Sequence, residues 1–262
     1  MAFIFGSYAK GSAISESDLD IAIYFKPEGG EMEWEADKEY ADEGKIWLDV
    51  ERIVKRNVDL LILNRAFSTL AFEVLRTGIP ILIKDRLLYL RFLSRVSFEA
   101  IDFMDIVDEY WAIKQRSSSL NDIDKQRLVR LVDFLEEELA DKKYFKELTW
   151  QTYQFDSNQR RNVERWVENI TNCSIDIAKI ILASEKKRIP DTYKDMLISL
   201  ALLPGFAEDA APKLADFTKL RNILAHEYLD IRFGQIERFI RESEPVYNSL
   251  INFVKEIIKE HG

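Results

Sequence analysis

Two aspartates at alternate positions introduce an apolar segment near the start of the chain, and a glycine–serine turn precedes them. The turn reads Gly6-Ser7-Tyr8-Ala9-Lys10-Gly11, and Ser17-Asp18-Leu19-Asp20 follows it. Side chains two positions apart on a strand lie on one face, so Asp18 and Asp20 are predicted to project together. The alternate apolar positions, predicted to face the core, are Leu19, Ile21, Ile23 and Phe25. Neighbouring carboxylates repel unless a cation lies between them, so this spacing predicts Mg²⁺ bridging carboxylates and substrate phosphates.

A third carboxylate, Asp59, lies in another strand-like run, Val58-Asp59-Leu60-Leu61-Ile62-Leu63. In this order and spacing, the residues resemble the nucleotidyltransferase superfamily signature Gly-Ser…Asp-x-Asp…Asp. The form Gly-Ser-x-Ala-Lys-Gly before Ser-Asp-x-Asp is similar to the minimal nucleotidyltransferases, antitoxin-like proteins with a polymerase beta-like fold.

The resemblance implies a role for each motif residue. ATP would be the substrate, held by Gly6 and Ser7, with Lys10 adding positive charge. Asp18, Asp20 and Asp59 would hold two Mg²⁺ ions, and Asp59 would also help to deprotonate the nucleophile.

One departure from the family leaves a second hypothesis open. Minimal nucleotidyltransferases carry a helix before the strand that ends in Gly-Ser, whereas this strand begins at Met1. Either the true start lies upstream or the domain lacks part of its core, and in the second case a catalytically silent binding and oligomerisation module is the alternative.

The second group of chemically capable residues lies late in the chain, in Arg221-Asn222-Ile223-Leu224-Ala225-His226-Glu227-Tyr228. His226 is one of only two histidines, and the other, His261, lies in the terminal tail. An imidazole titrates near neutral pH, so His226 is the candidate general acid or base. On an ideal helix, Arg221 and His226 lie about 140° apart, whereas Asn222 and His226 share a face. Either the helix loosens near His226 or the long arginine side chain reaches across.

The Arg-x4-His-x-Tyr pattern in a helical region resembles the HEPN family, and specifically the toxin encoded beside minimal nucleotidyltransferases. The resemblance implies a metal-independent RNase in which His226 is the acid or base, Arg221 stabilises phosphorane charge and Asn222 orients them. It also implies an RNA partner such as tRNA or mRNA, and a homodimer in which two copies of the motif meet. In the alternative interpretation, the arginine forms a surface ion pair with a carboxylate, and the histidine lies at a helix end where the helix dipole favours it.

Together, the two resemblances predict a fused toxin–antitoxin protein. AMP would pass from ATP to a tyrosine of the toxin motif, Tyr228, and silence the RNase. The alternatives are a silent nucleotidyltransferase-like module attached to a HEPN RNase or nucleotide-binding domain, and an interaction protein in which both sites have decayed. The sequence leaves open the RNA target, the number of AMP groups transferred, and whether modification occurs in cis or in trans.

Length and composition are consistent with two domains. The chain has 262 residues, of which 47% are hydrophobic, and a single cysteine, Cys173, which excludes an internal disulfide. No apolar run approaches the roughly 20 residues of a membrane span, so we expect a cytoplasmic protein with no membrane partner. The net charge of −9 gives no indication of broad nonspecific nucleic-acid binding.

The apolar pattern predicts an α+β protein: a small mixed-sheet domain over residues 1–117, followed by an all-helical bundle over 118–262. Strands are expected at 2–5, 18–25, 58–63 and 79–84, with helices at 32–54, 67–76 and 86–115. The second domain is predicted to contain helices at 122–141, 157–185, 191–202, 212–227 and 233–259. The polar break Ser117-Ser118-Ser119 places the boundary.

Overall fold

The chain divides into two compact units, Met1–Asp105 and Ile106–Gly262. The computed structural model describes residues 1–14, 16–28, 32–36, 38–116, 119–226 and 229–260. Ser117 and Ser118, at the predicted domain boundary, lie outside these ranges, and the limits 1–117 and 118–262 stay predictions. No helix in the described ranges is long and apolar enough to cross a membrane.

The first unit is built on a mixed four-stranded sheet with the order β3-β2-β1-β4. Strand β1 pairs antiparallel with both β2 and β4, whereas β2 and β3 are parallel. The predicted strands are therefore present, each slightly shorter than expected: β1 Ala2–Ile4, β2 Leu19–Ile23, β3 Val58–Ile62 and β4 Ile79–Leu82. This arrangement brings the end of β1 and the beginnings of β2 and β3 to one edge of the sheet.

Helices connect these strands: α1 Gly6–Ala9, α2 Glu43–Val54, α3 Ser68–Thr77 and α4 Arg86–Arg116, which extends into the second unit. The helix predicted from residue 32 is wrong for the described residues before Glu43, since only Glu43–Val54 is helical among the residues that the structure describes there. Two hydrogen bonds hold the segment before α2 against residues that follow β2 and β3. The Tyr24 hydroxyl donates to the Glu33 carbonyl oxygen, and the Ala36 N–H donates to the Asn64 carbonyl oxygen. These tertiary bonds outweigh the helical preference of an acidic sequence.

Both faces of the sheet contribute to the core. Ile21 is buried, as the alternation predicted, but so are Ala22 and Tyr24 on the opposite face. Ala22 and Tyr24 pack with Phe3, Val74 and Phe92 in the main hydrophobic cluster of this unit. Ala22 and Tyr24 are therefore core residues that the alternation did not predict, because residues of α3 and α4 pack against that face of β2.

The second unit is helical throughout its described part, which confirms the predicted bundle. Its helices are α5 Asp122–Ala140, α6 Trp150–Phe155, α7 Ser157–Ser184, α8 Tyr193–Ile198, α9 Ala210–Phe217, α10 Lys219–His226 and α11 Leu229–Glu260. Short 3-10 turns occupy Asp141–Tyr144 and Ser199–Leu202. Helix α6 was not predicted; it is six residues long and begins where the Thr149 hydroxyl accepts the Thr152 N–H at 3.2 Å.

The helix predicted at 212–227 is two helices, since α9 ends at Phe217 and α10 begins at Lys219. Thr218 lies between them, and its hydroxyl donates to the Ala215 carbonyl oxygen at 2.7 Å. Aromatic packing holds α9 in place: the Phe239 ring of α11 lies 4.9 Å from Phe217 and 5.4 Å from Trp166 of α7. The bundle core thus fixes the segment that leads directly into the Arg221 motif.

Candidate functional site

Asp20 and Asp59 lie side by side at the edge of the sheet. They are register partners in the parallel pair β2–β3, so their side chains project from the same face of neighbouring strands. Neighbouring strands lie about 4.8 Å apart, which is close enough for two carboxylates to interact strongly. Asp18 is exposed and precedes β2 by one residue. The structure therefore brings two of the predicted carboxylates into direct register, with the third immediately beside them.

The glycine–serine turn packs against the Asp20 carboxylate. Gly6 has φ +65°, and a Cβ atom at that position would lie 2.0 Å from Oδ2 of Asp20. The Ser7 backbone N–H donates a hydrogen bond to the Asp20 side chain, and the Phe5 N–H donates to the Asp20 carbonyl oxygen at 3.0 Å. Glycine is required here for two reasons, its left-handed backbone and the space that Asp20 occupies.

The environment of Asp20 disfavours its ionised form. Burial raises the pKa of its carboxyl group, the negative charges of Asp59 and Asp18 raise it further, and the hydrogen bond from Ser7 offsets part of the rise. Like charges held together in this way store repulsion that a cation or a proton relieves. The site therefore has a built-in preference for positive charge.

Oxygen donors of this kind suit Mg²⁺, which binds through one or two carboxylates together with substrate phosphates. Asp20 and Asp59 are the pair that would hold it, with Asp18 adjacent. Across the described ranges, no group of three or more histidine, cysteine, aspartate or glutamate side chains is arranged to hold a metal ion. The fit therefore rests on a pair of carboxylates completed by a phosphate-bearing substrate, and the assignment of two ions stays a prediction.

Lys10, predicted to contact the nucleotide, forms an ion pair in this structure. Its ammonium nitrogen lies 3.2 Å from Oε1 of Glu73 in α3, and the other oxygen of Glu73 accepts from Arg76 at 2.6 Å. These contacts hold the pKa of the Glu73 carboxyl below its usual range. No local pattern predicts this pairing, because Lys10 and Glu73 are far apart in the sequence and meet only in the folded unit.

Replacement of Gly6 by alanine is expected to destabilise the first unit and displace Asp20. Gly11 provides the matched control, since it also has positive φ (+69°) but nothing lies within 4 Å of its added Cβ. Gly11→Ala should cost about 1–2 kcal/mol for the left-handed backbone alone. Gly6→Ala should cost more, because its Cβ collides with Asp20. Denaturant unfolding of both variants measures the difference, and equal losses would contradict the packing of Asp20 on this turn.

Of the four residues given a functional role in the second motif, the structure describes the side chain of Arg221 and not those of Asn222, His226 and Tyr228. The Arg221 guanidinium carbon lies 4.4 Å from the centre of the Tyr193 ring, the first residue of α8. The backbones of Asn222 and His226 belong to α10, but their side chains, and the whole of Tyr228, lie outside the described part of the chain. The structure thus fixes where Arg221 is held and leaves the other assignments as predictions.

A cluster not predicted from the sequence links the beginning of α11 to α6 and α7. The Tyr153 hydroxyl donates to Oε1 of Glu164 at 2.6 Å, and Nη1 of Arg232 lies 3.4 Å from the same oxygen. Arg232 is in the first turn of α11, which follows the motif-bearing α10. Because Glu164 and Arg232 are 68 residues apart in the sequence, no local pattern indicates that they meet. Their contact fixes the helix that follows the motif.

Two family models match the chain in the regions that carry these two sites. The model for the polymerase beta nucleotidyltransferases matches residues 1–87, which include the turn and the three aspartates. The model for the HepT-like ribonucleases matches residues 126–257, half of the chain, which include the Arg221 motif. The chain therefore belongs to the HepT-like ribonuclease family, and it carries a nucleotidyltransferase region at its N-terminal end. No curated protein matches the chain.

This combination confirms the fusion of a minimal nucleotidyltransferase with a HEPN-type ribonuclease that the sequence predicted. It also confirms the polymerase beta-like mixed sheet followed by a helical bundle. The two families indicate enzymatic activity of a toxin–antitoxin type, with a nucleotide and a divalent metal at the first site and RNA at the second. The acceptor of nucleotidyl transfer and its effect on the ribonuclease are matters for a proposal.

Proposed function

We propose that this protein transfers AMP from ATP to Tyr228 and thereby silences its own ribonuclease. The observation that carries the proposal is the register pairing of Asp20 with Asp59, with the Asp20 carboxylate packed on the Gly6–Ser7 turn. Glycine–serine turns supply the donors that hold phosphates, and paired carboxylates supply the negative charge that attracts a divalent cation. The two features at one sheet edge support nucleotidyl transfer better than either does alone.

In the transfer step, the Tyr228 phenol oxygen attacks the α-phosphorus of ATP. The new phosphorus–oxygen bond forms as the bond to the β-phosphate breaks, so pyrophosphate leaves and the phenol proton passes to Asp59. Two Mg²⁺ ions, held by Asp18, Asp20 and Asp59, would neutralise the phosphate charge and stabilise the attacking and leaving oxygens. Because the Ser7 N–H already donates to Asp20, the Ser7 hydroxyl is the group assigned to the triphosphate, with Gly6 permitting close approach and Lys10 adding charge.

The second activity in the proposal is metal-independent RNA cleavage. His226 takes the proton of a ribose 2′-hydroxyl, whose oxygen attacks the adjacent phosphorus as the bond to the 5′-oxygen breaks, and the leaving 5′-oxygen takes up a proton from water. Arg221 stabilises the charge that develops on the phosphorane, and Asn222 orients the histidine or the 2′-hydroxyl. A phenol has a pKa near 10, so Tyr228 is poorly matched to acid–base work at neutral pH and serves as the modification site.

Charge and position connect the two activities. On an ideal helix, Tyr228 would lie within about 20° of Arg221, and it is two residues from His226. An AMP group there places negative charge where an RNA phosphate would bind, and it excludes the RNA by occupancy and repulsion. The active form is proposed to be a homodimer through the helical domain, since Arg221 and His226 would lie about 140° apart on an ideal helix and a second copy would complete the site.

Intact mass after incubation with Mg-ATP tests the proposal. We expect an AMP-sized increment that fragmentation assigns to Tyr228. The Tyr228→Phe variant should gain nothing, whereas Tyr144→Phe, which alters an exposed tyrosine on the surface of the same domain, should be modified as fully as the wild type. An unchanged wild-type mass would favour the alternative, a catalytically silent binding module attached to a ribonuclease. Modification of Tyr228→Phe would show that the acceptor lies elsewhere.

A further inference from the structure

The Tyr8 hydroxyl lies where three segments of the nucleotidyltransferase site meet. Tyr8 follows Ser7 in α1, so it moves with the glycine–serine turn. Its hydroxyl is 3.5 Å from the carbonyl oxygen of Ser17, the residue before Asp18. The same hydroxyl accepts a hydrogen bond from Nη1 of Arg56, three residues before Asp59. One phenol thus contacts the segments that carry all of the predicted nucleotide and metal ligands.

Arg56 brings a positive charge to this point. Its guanidinium carbon lies 5.8 Å from the centre of the Tyr8 ring, and its side chain belongs to the exposed connection between α2 and β3. The guanidinium presents five N–H donors in a rigid fork that matches the oxygens of a phosphate group. Its position ties it to Asp59, since both lie on the segment that enters β3.

We infer that Arg56 binds the polyphosphate of the nucleotide and that Tyr8 is a positioning residue that holds its guanidinium at the site. This inference rests on the proposed nucleotidyl transfer and adds to it a cation that the signature motif does not contain. Lys10, the cation within the motif, is engaged by Glu73 on α3. A second cation, held by Tyr8 on the segment that leads into β3, would allow the triphosphate to be contacted from that segment as well as from the turn.

The experiment measures the dissociation constants of ATP and of inorganic tripolyphosphate by calorimetry in the presence of Mg²⁺. Arg56→Ala should weaken both by about ten- to a hundredfold, as expected for the loss of a hydrogen-bonded charge contact. Arg56→Lys should retain part of the affinity, because lysine keeps the positive charge but lacks the planar set of guanidinium N–H donors. Tyr8→Phe should weaken binding severalfold while Arg56 remains. If Arg56→Ala fails to fold, the Arg56→Lys and Tyr8→Phe variants provide the test, because each should bind ATP and tripolyphosphate more weakly than the wild type does.

Arg52→Ala is the matched control, since it removes the same charge from an exposed arginine of α2 that pairs with Asp49. Its affinities should equal those of the wild type, and an equal loss in Arg52→Ala and Arg56→Ala would overturn the inference in favour of a general charge effect. Wild-type affinity in Arg56→Ala would overturn it while leaving AMP transfer intact. A wild type that binds ATP through Arg56 but gains no AMP would instead overturn the proposed function alone. Failure of the wild type to bind either probe would overturn the inference as well.

Discussion

Replacement of His226 by alanine is expected to reduce RNA cleavage by about a hundred- to ten-thousandfold, the usual range for loss of a general acid or base. Cleavage should fall this far because His226 is the only imidazole in the Arg-x4-His motif, so the variant has no other histidine there to act as the acid or base. The measurement is single-turnover cleavage of a labelled RNA by protein that has not been treated with ATP.

His261→Ala is the control for this variant, because it removes the only other histidine. Cleavage by His261→Ala should match that of the wild type. Undiminished cleavage by His226→Ala, with the fold confirmed by circular dichroism, would show that the ribonuclease assignment of this motif is wrong.

The second large effect is expected for Asp20→Asn, which should abolish the ATP-dependent increase in mass and at the same time stabilise the first unit at neutral pH. Transfer is lost because an amide neither attracts a divalent cation as a carboxylate does nor replaces its charge. Stability rises because the amide removes the like-charge repulsion from Asp59 and Asp18 and the cost of burying a charge. The expected result is therefore a loss of transfer together with a gain in stability.

The pH dependence of this effect has a definite sign. The pKa of Asp20 is raised in the folded protein, so the ionised carboxyl destabilises the fold at neutral pH and the cost disappears as the pH falls and the group takes up a proton. The stability advantage of Asp20→Asn over the wild type should therefore be largest near pH 7 and shrink in acid. Denaturant unfolding at several pH values measures it, with the exposed Asp42→Asn as the control. An advantage that is constant with pH would contradict the charge repulsion described for Asp20.

The strands and their order in the sequence could be predicted because the signal is local. Each strand combines a short apolar run with a turn, and each appears within two residues of its predicted ends. The adjacency of Asp20 and Asp59 came from the resemblance to a known signature, and the parallel register confirms that these two positions are neighbours. In the second unit, helical periodicity was sufficient to predict the bundle, including the long helix Ser157–Ser184.

The errors arise where contacts between distant segments determine the local structure. Residues 32–42 have a composition typical of a helix, but the described part of this segment is not helical and forms hydrogen bonds with Tyr24 and Asn64. The break at Thr218 depends on a single side-chain bond to the preceding turn. The contact between Tyr8 and Arg56 joins residues 48 apart in the sequence. Such contacts leave no periodic signal, so sequence patterns do not predict them.

The central claim is that AMP on Tyr228 switches the ribonuclease off, and RNA cleavage before and after Mg-ATP treatment tests it most directly. Wild type, Tyr228→Phe and Tyr144→Phe are each divided into treated and untreated samples, and cleavage of the same labelled RNA is compared. We predict that treatment silences the wild type and Tyr144→Phe, whereas Tyr228→Phe cleaves equally with and without it. Silencing of Tyr228→Phe as complete as that of the wild type would contradict the account.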